Sequence, residues 1–296
     1  MRDQAARLRE LVSHSTGKPS PPPVLQTAGT RIIAVASGKG GVGKSNLVAN
    51  LAIALAQKGK KVVVFDADLG LANLDILLGL VPRYTLYDVL YGRKEMRDVV
   101  IEGPAGVRVI PGGSGIQELA NVNPQDQQRL LDALREVAGA ADFLLIDTGA
   151  GISRVVLGFL AAAGEVIIVT TTEPTALTDA YGVIKILAKY GEHSAIETVI
   201  NRVTSLREGE DASRRLKMTA LRFLNLELES LGCIREDKML IRAVKEQQPV
   251  LLKYPFSHAA EDIQVIAGNL ANMVVPRPFG GAEIFKASSP LVLLGR

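Results

Sequence analysis

Apolar positions along this chain follow two alternating rhythms. The first is a set of short runs rich in β-branched residues, unbroken but for Arg108: Ile32–Ala36, Val62–Phe65, Val107–Ile110, Phe143–Ile146, Val166–Val169 and Thr198–Ile200. Such runs suit strands buried on both faces, as in a parallel sheet. The second is helical spacing. Leu47–Ala56 forms one such stretch, Tyr84–Leu90 puts Leu86, Val89 and Leu90 on one face, and Gln127–Val137 does the same with Leu130, Leu131, Leu134 and Val137. A loop from Thr171 to Ala180 leads into another helix that runs to about Tyr190. Alternation of this kind from Arg31 to Met273 predicts an α/β fold, a doubly wound and mainly parallel sheet with helices on both faces. Internal repeats and coiled-coil heptads are absent from the pattern.

The pattern lapses at both ends. Residues 1–12 fit a short helix capped by Asp3, with Ala5, Leu8, Leu11 and Val12 on one face. Residues 13–30, with Gly17, Pro19, Pro21, Pro22 and Pro23, read as an extended linker. So short a helix is marginal alone, which leaves a frayed terminus or a peptide that folds onto a partner. The alternating α/β core is expected over residues 31–275 and a tail over residues 276–296. Pro290 and two serines interrupt that tail, and its positive charge near the end comes from Lys286 and Arg296. Weak contact with a membrane surface and packing onto the core both remain open.

Composition narrows the classes. The chain has 296 residues, with 34 Lys and Arg against 31 Asp and Glu, a net charge of +3 that is too balanced to argue for nucleic-acid binding. One cysteine, Cys233, excludes a disulfide framework and a Cys-based metal site made by this chain alone; its apolar surroundings predict a small buried hydrophobe. Trp is absent, which argues against an aromatic platform for single strands. With neither a signal peptide nor a spanning apolar run, the expected location is the cytoplasm.

The chemistry concentrates between the first strand and the first helix. Ser37-Gly38-Lys39-Gly40-Gly41-Val42-Gly43-Lys44-Ser45 fits the P-loop pattern, and Asn46 follows at the helix start. Glycines let successive N–H groups turn toward an anion, and the helix N-terminus adds partial positive charge. Lys44 is expected on the β- and γ-phosphates of ATP and Ser45 on Mg²⁺. Two later runs end in acids at the same rim: Asp66-Ala67-Asp68, and Asp147 followed by Thr148-Gly149-Ala150-Gly151. Asp147 suits Mg²⁺, which keeps its waters and takes few protein oxygens.

Lys39 inside the loop makes the form Lys-Gly-Gly-x-Gly-Lys-Ser, which resembles the deviant P-loop of the MinD/ParA ATPases; taken alone, Lys39 reads as a solvated lysine. The resemblance spans some 240 residues from the spacing of these motifs. It implies a homodimer assembled on ATP, with Lys39 crossing to the partner's nucleotide, Asp68 polarising the attacking water, and Asp66 joining Ser45 and Asp147 at the metal. It further implies a first switch with Asn73 and Asp75, a second with Gly149, Ala150 and Gly151, and adenine recognition by Asn201 and Arg202. Asp75 reads equally well as a helix N-terminal charge, and Asn201 as a strand-end turn residue. Gly149 stands where the family usually has proline, and so does Arg235 in the last segment before Asp237, where guanidinium stacking on adenine would replace proline packing.

Within the family, Asp3-Gln4-Ala5-Ala6-Arg7-Leu8-Arg9 and Asp-Thr-Gly-Ala-Gly are similar to the flagellar-number regulators. That branch implies that Asp3, Gln4, Leu8 and Arg9 stimulate a flagellar GTPase of the signal-recognition-particle type. It also implies flagellar C-ring proteins and a transcriptional regulator of flagellar genes as partners, with transient, often polar contact with the inner membrane face. A division-site ATPase, a DNA-partitioning ATPase and a metabolic ligase are the competing readings; a single Cys233 excludes an iron–sulfur ATPase.

Overall fold

The computed structural model describes residues 29–68, 74–113, 133–134, 136–190 and 195–273. Asn73, the N-terminal segment with Asp3, Gln4, Leu8 and Arg9, the linker, the tail and most of the helix expected at Gln127–Val137 lie outside them.

The apolar runs become strands, and the strands form one sheet. Strand β1 (Arg31–Ala36) leads through the P-loop into α1 (Lys44–Gln57) and then β2 (Val62–Ala67). Three short helices follow, α2 (Leu74–Leu78), α3 (Leu86–Leu90) and α4 (Met96–Val99), then β3 (Ile101–Glu102) and β4 (Arg108–Ile110). The rest alternates: β5 (Phe143–Thr148), α5 (Arg154–Ala162), β6 (Glu165–Thr171), α6 (Pro174–Tyr190), β7 (Ala195–Val203), α7 (Leu206–Leu224) and β8 (Glu229–Arg235). Helices α8 (Lys238–Lys245), α9 (Val250–Lys253) and α10 (His258–Asn272) complete it. Among the described residues the sheet has eight strands in the order β3-β4-β2-β5-β1-β6-β7-β8. Every pairing is parallel except β3 with β4, a two-residue antiparallel edge that the sequence pattern did not reveal.

Alternation along each strand divides the core into two layers. Ile32, Ala34 and Ala36 face one layer with α5 and α6, where Phe65 meets Phe159 edge-on at 5.5 Å between ring centroids. Ile33 and Val35 face the other with α1 and α10. At the β8 edge, α10 occupies positions a further strand would use: Asn269 donates to the Leu231 carbonyl at 2.9 Å, and Asp262 accepts from the Arg235 N–H at 2.8 Å.

At the N-terminal ends of the strands lies a charged cluster. Arg31 makes a two-pronged pair with Glu165 (2.9 and 2.5 Å), donates to the Leu270 carbonyl near the end of α10, and lies 5.2 Å from the Phe143 ring centroid. Glu197, one strand over, is fully buried, and neither of its carboxyl oxygens has a hydrogen-bond partner among the described residues.

Candidate nucleotide site

The C-terminal rim gathers the predicted chemistry. A cavity of about 390 Å³ is lined by Ser37, Gly40 to Asn46, Asp68, Ala150 and Arg202, with Ile76, Leu77 and Val244 adding an apolar side. Its cradle follows from local backbone. Gly41 and Gly43 both take left-handed φ (76° and 96°), and a Cβ on Gly43 would lie 2.2 Å from the Asn201 amide nitrogen. Glycine is required there twice over, by conformation and by space. Gly43 also starts α1 without a capping side chain, whereas α5, α7, α8 and α10 are capped by Ser153, Ser205, Asp237 and Ser257. The uncapped first turn is where an anion fits.

Two carboxylates stand side by side beneath the cradle, because Asp66 on β2 and Asp147 on β5 are register partners. Burial pushes the Asp147 carboxyl up; Lys44, at 2.7 Å from Oδ1, and the Ser45 hydroxyl oppose that shift. Asp66 is raised to about 7, first by burial and then by the charge of Asp147. Its two oxygens accept from the Asp68 N–H (3.1 Å) and the Leu74 N–H (3.4 Å), so it braces the turn that carries Asp68 into the cavity. The Ser45 hydroxyl beside Asp147 is a hard-oxygen donor set of the kind Mg²⁺ takes. Asp66 stands one step behind it.

The loop Gly149–Gly151 meets both elements. Gly151 donates to the Ser37 carbonyl at 2.9 Å, Thr148 Oγ1 donates to the Val35 carbonyl at 2.9 Å, and a Cβ on Gly149 would lie 3.4 Å from Asp68 Oδ1. Gly38 lines no part of the cavity. It packs so closely on α6 that a Cβ would come within 2.4 Å of the Asp179 carbonyl oxygen.

Other predicted residues take different posts. Asn201 is buried, its amide donating to the Val42 carbonyl at 2.7 Å and its oxygen accepting the Arg202 N–H at 2.9 Å, so in this structure it holds the P-loop. Arg202 has a left-handed backbone, φ 57°, and lines the cavity. Stacking of Arg235 on adenine is not what the geometry gives: its guanidinium forks onto Asp262 (2.8 to 3.2 Å) and also reaches Glu261. Asp237 is committed to the α8 cap and the Ala259 N–H, and neither residue lines the cavity. Asp75 Oδ1 accepts the Ile76 N–H in the first turn of α2. Cys233 is half-buried under Gly209, and burial pushes its thiol up to about 11.

Sequence reasoning missed Glu173. It follows β6 on the same rim and pairs with Lys39 at 3.1 Å, both side chains roughly half or more exposed (47% and 63%). The signal was available: an acid at the C-terminal end of a parallel strand, as for Asp68. A larger groove of about 550 Å³ between α7, β8 and α10 shares no residue with this site.

Strand, glycine cradle, uncapped helix and buried Lys–Asp pair define a P-loop nucleotide site. A family model described as an AAA domain matches residues 30–200. The chain is 41% identical to the antiactivator FleN of Pseudomonas aeruginosa, over 86% of this chain and 91% of that protein. It is 37% identical to the flagellum site-determining protein YlxH of Helicobacter pylori, over 92% and 91%. Among solved structures it resembles the septum site-determining protein MinD of Pyrococcus horikoshii, complexed with Mg-ADP, with TM-score 0.69, 29% identity and coverage of 82% and 96%. The chain belongs to the MinD/ParA family of P-loop ATPases, whose substrate is ATP with Mg²⁺.

Proposed function

We propose that this ATPase is a switch that regulates the number and placement of flagella, working as an ATP-dependent homodimer. One observation carries the dimer: the two P-loop lysines have opposite environments. Lys44 is buried on Asp147, inside its own site, while Lys39 projects from the rim on an exposed pair with Glu173. An exposed ion pair of this kind is worth little, typically ~0.2–1 kcal/mol, so Lys39 is readily released to a second copy's phosphates. Asp68, on the cavity wall, would orient the attacking water. When bound at Ser45 and Asp147, Mg²⁺ would neutralise charge on the β- and γ-phosphate oxygens.

Similarity to FleN and YlxH over most of each chain supports the flagellar role. On this reading Asp3, Gln4, Leu8 and Arg9 stimulate a flagellar GTPase of the signal-recognition-particle type. C-ring proteins and a regulator of flagellar transcription are further partners, and membrane contact is transient. Light scattering with ATP tests the core of the proposal. Asp68→Ala should still bind ATP and stay dimeric while turnover falls by about 10²-fold or more, and adding Lys39→Ala should make it monomeric. Deleting residues 1–12 should leave dimerisation intact and remove GTPase stimulation. A dimer that survives loss of Lys39 refutes the crossing lysine; undiminished stimulation after the deletion refutes the flagellar GTPase and favours the division-site reading.

A further inference from the structure

Three of the chain's six tyrosines fall within eight residues, Tyr84, Tyr87 and Tyr91, and three cations surround them. The Tyr87 and Tyr91 rings touch at 4.4 Å between centroids, tilted by 40°. Arg93 lies over both rings, at 5.4 and 5.5 Å; Lys94 Nζ is 4.3 Å from the Tyr84 centroid, and Arg83 covers the same ring at 5.3 Å. The local backbone fixes this arrangement. Asp88 accepts the Thr85 N–H in a capping box, and its carbonyl accepts both the Arg93 and Lys94 N–H groups (2.8 and 3.1 Å), which aims the two cations back over the helix. Leu86 anchors the cluster in the core layer opposite α1, away from the nucleotide cavity.

We propose that this tyrosine–arginine cluster is a docking surface for an acidic segment of a partner protein, and the inference is independent of the flagellar reading. Three observations favour that occupant. Among the described residues no carboxylate forms an ion pair with Arg83, Arg93 or Lys94, whereas a ring face lies against each of the three. A guanidinium lying on a ring keeps its N–H edge outward, pre-set for the two oxygens of a carboxylate, which lowers the entropic cost of binding. Tyr and Arg together are also the side chains that most often dominate protein interfaces. Nucleic acid is disfavoured because cations already cover the ring faces on which bases would stack, and the chain as a whole carries only +3.

The absence of Trp makes tyrosine fluorescence of the full chain a direct probe. The ligand used is a twelve-residue peptide of Asp and Glu interspersed with Leu, free of Tyr and Trp. We expect a saturable change in tyrosine emission that weakens with salt, and a loss of affinity of about tenfold or more in Arg93→Glu. ATP turnover and melting temperature should be unchanged, and Arg93→Lys should recover part of the affinity. The proposal is overturned if the peptide gives no signal, if Arg93→Glu binds it as well as the native chain, or if a labelled twelve-nucleotide oligothymidine displaces it from this surface.

Discussion

At one rim of the sheet Asp147 is buried against the Lys44 ammonium and the Ser45 hydroxyl; at the other, Glu197 is buried among Glu165, Glu229 and a single guanidinium, Arg31. Both carboxyls have lost their water, and burial raises both. The difference is in what compensates. Lys44 and Ser45 act directly on Asp147, whereas both prongs of Arg31 are taken by Glu165. Glu197 is left to compensate itself by keeping a proton, and its carboxyl is pushed up to about 8. The nucleotide rim stores a charge pair that phosphates can separate. The opposite rim stores a neutral acid, because Glu165 takes both prongs of the one guanidinium near Glu197.

The largest break in this comparison is Lys44→Ala. It removes the phosphate partner and leaves Asp147 buried without its cation, so ATP affinity measured by calorimetry should fall by on the order of 10³-fold, about 4 kcal/mol. Arg31→Met should come next. Stranding Glu165 and freeing the Leu270 carbonyl should lower unfolding stability in urea by about 3 kcal/mol, with ATP affinity little changed because the cavity is at the other rim.

Glu197→Gln gives the most specific effect, seen in slope. The folded carboxyl holds its proton up to about pH 8, whereas the unfolded one loses it above 4.5. The folded state therefore binds more protons between those values. The contribution of Glu197 to stability is greatest below pH 4.5, falls by about 1.4 kcal/mol per pH unit through the window, and levels off above 8. In Glu197→Gln that downward slope should vanish; a stability–pH profile parallel to the native one would show that Glu197 is ionised at neutral pH.

Local chemistry made the nucleotide rim legible in the sequence. The P-loop, Asp68 and Asp147 all follow unbroken apolar runs within a few residues, and a parallel strand's end fixes where its acid lies. The opposite rim was not legible for the same physical reason reversed. Glu165 opens a strand in the pattern and its partner Arg31 is 134 residues earlier, so nothing nearby marks it as buried. Arg235 was likewise read from its neighbours, while Asp262, 27 residues on, decides its orientation. The expected helix Tyr84–Leu90 is observed from Leu86, but its cations were unreadable because only the turn at Gly92 folds Arg93 back.

The two borders of the sheet bear on how crowded copies of this chain behave. One border ends in the two-residue β3, and the other is stoppered by Asn269 and Asp262 of α10. Neither offers a ladder onto which another molecule's strand can zip, which is the usual route to irreversible clumping. Concentrated solutions of the chain should therefore resist clumping by strand addition at these borders.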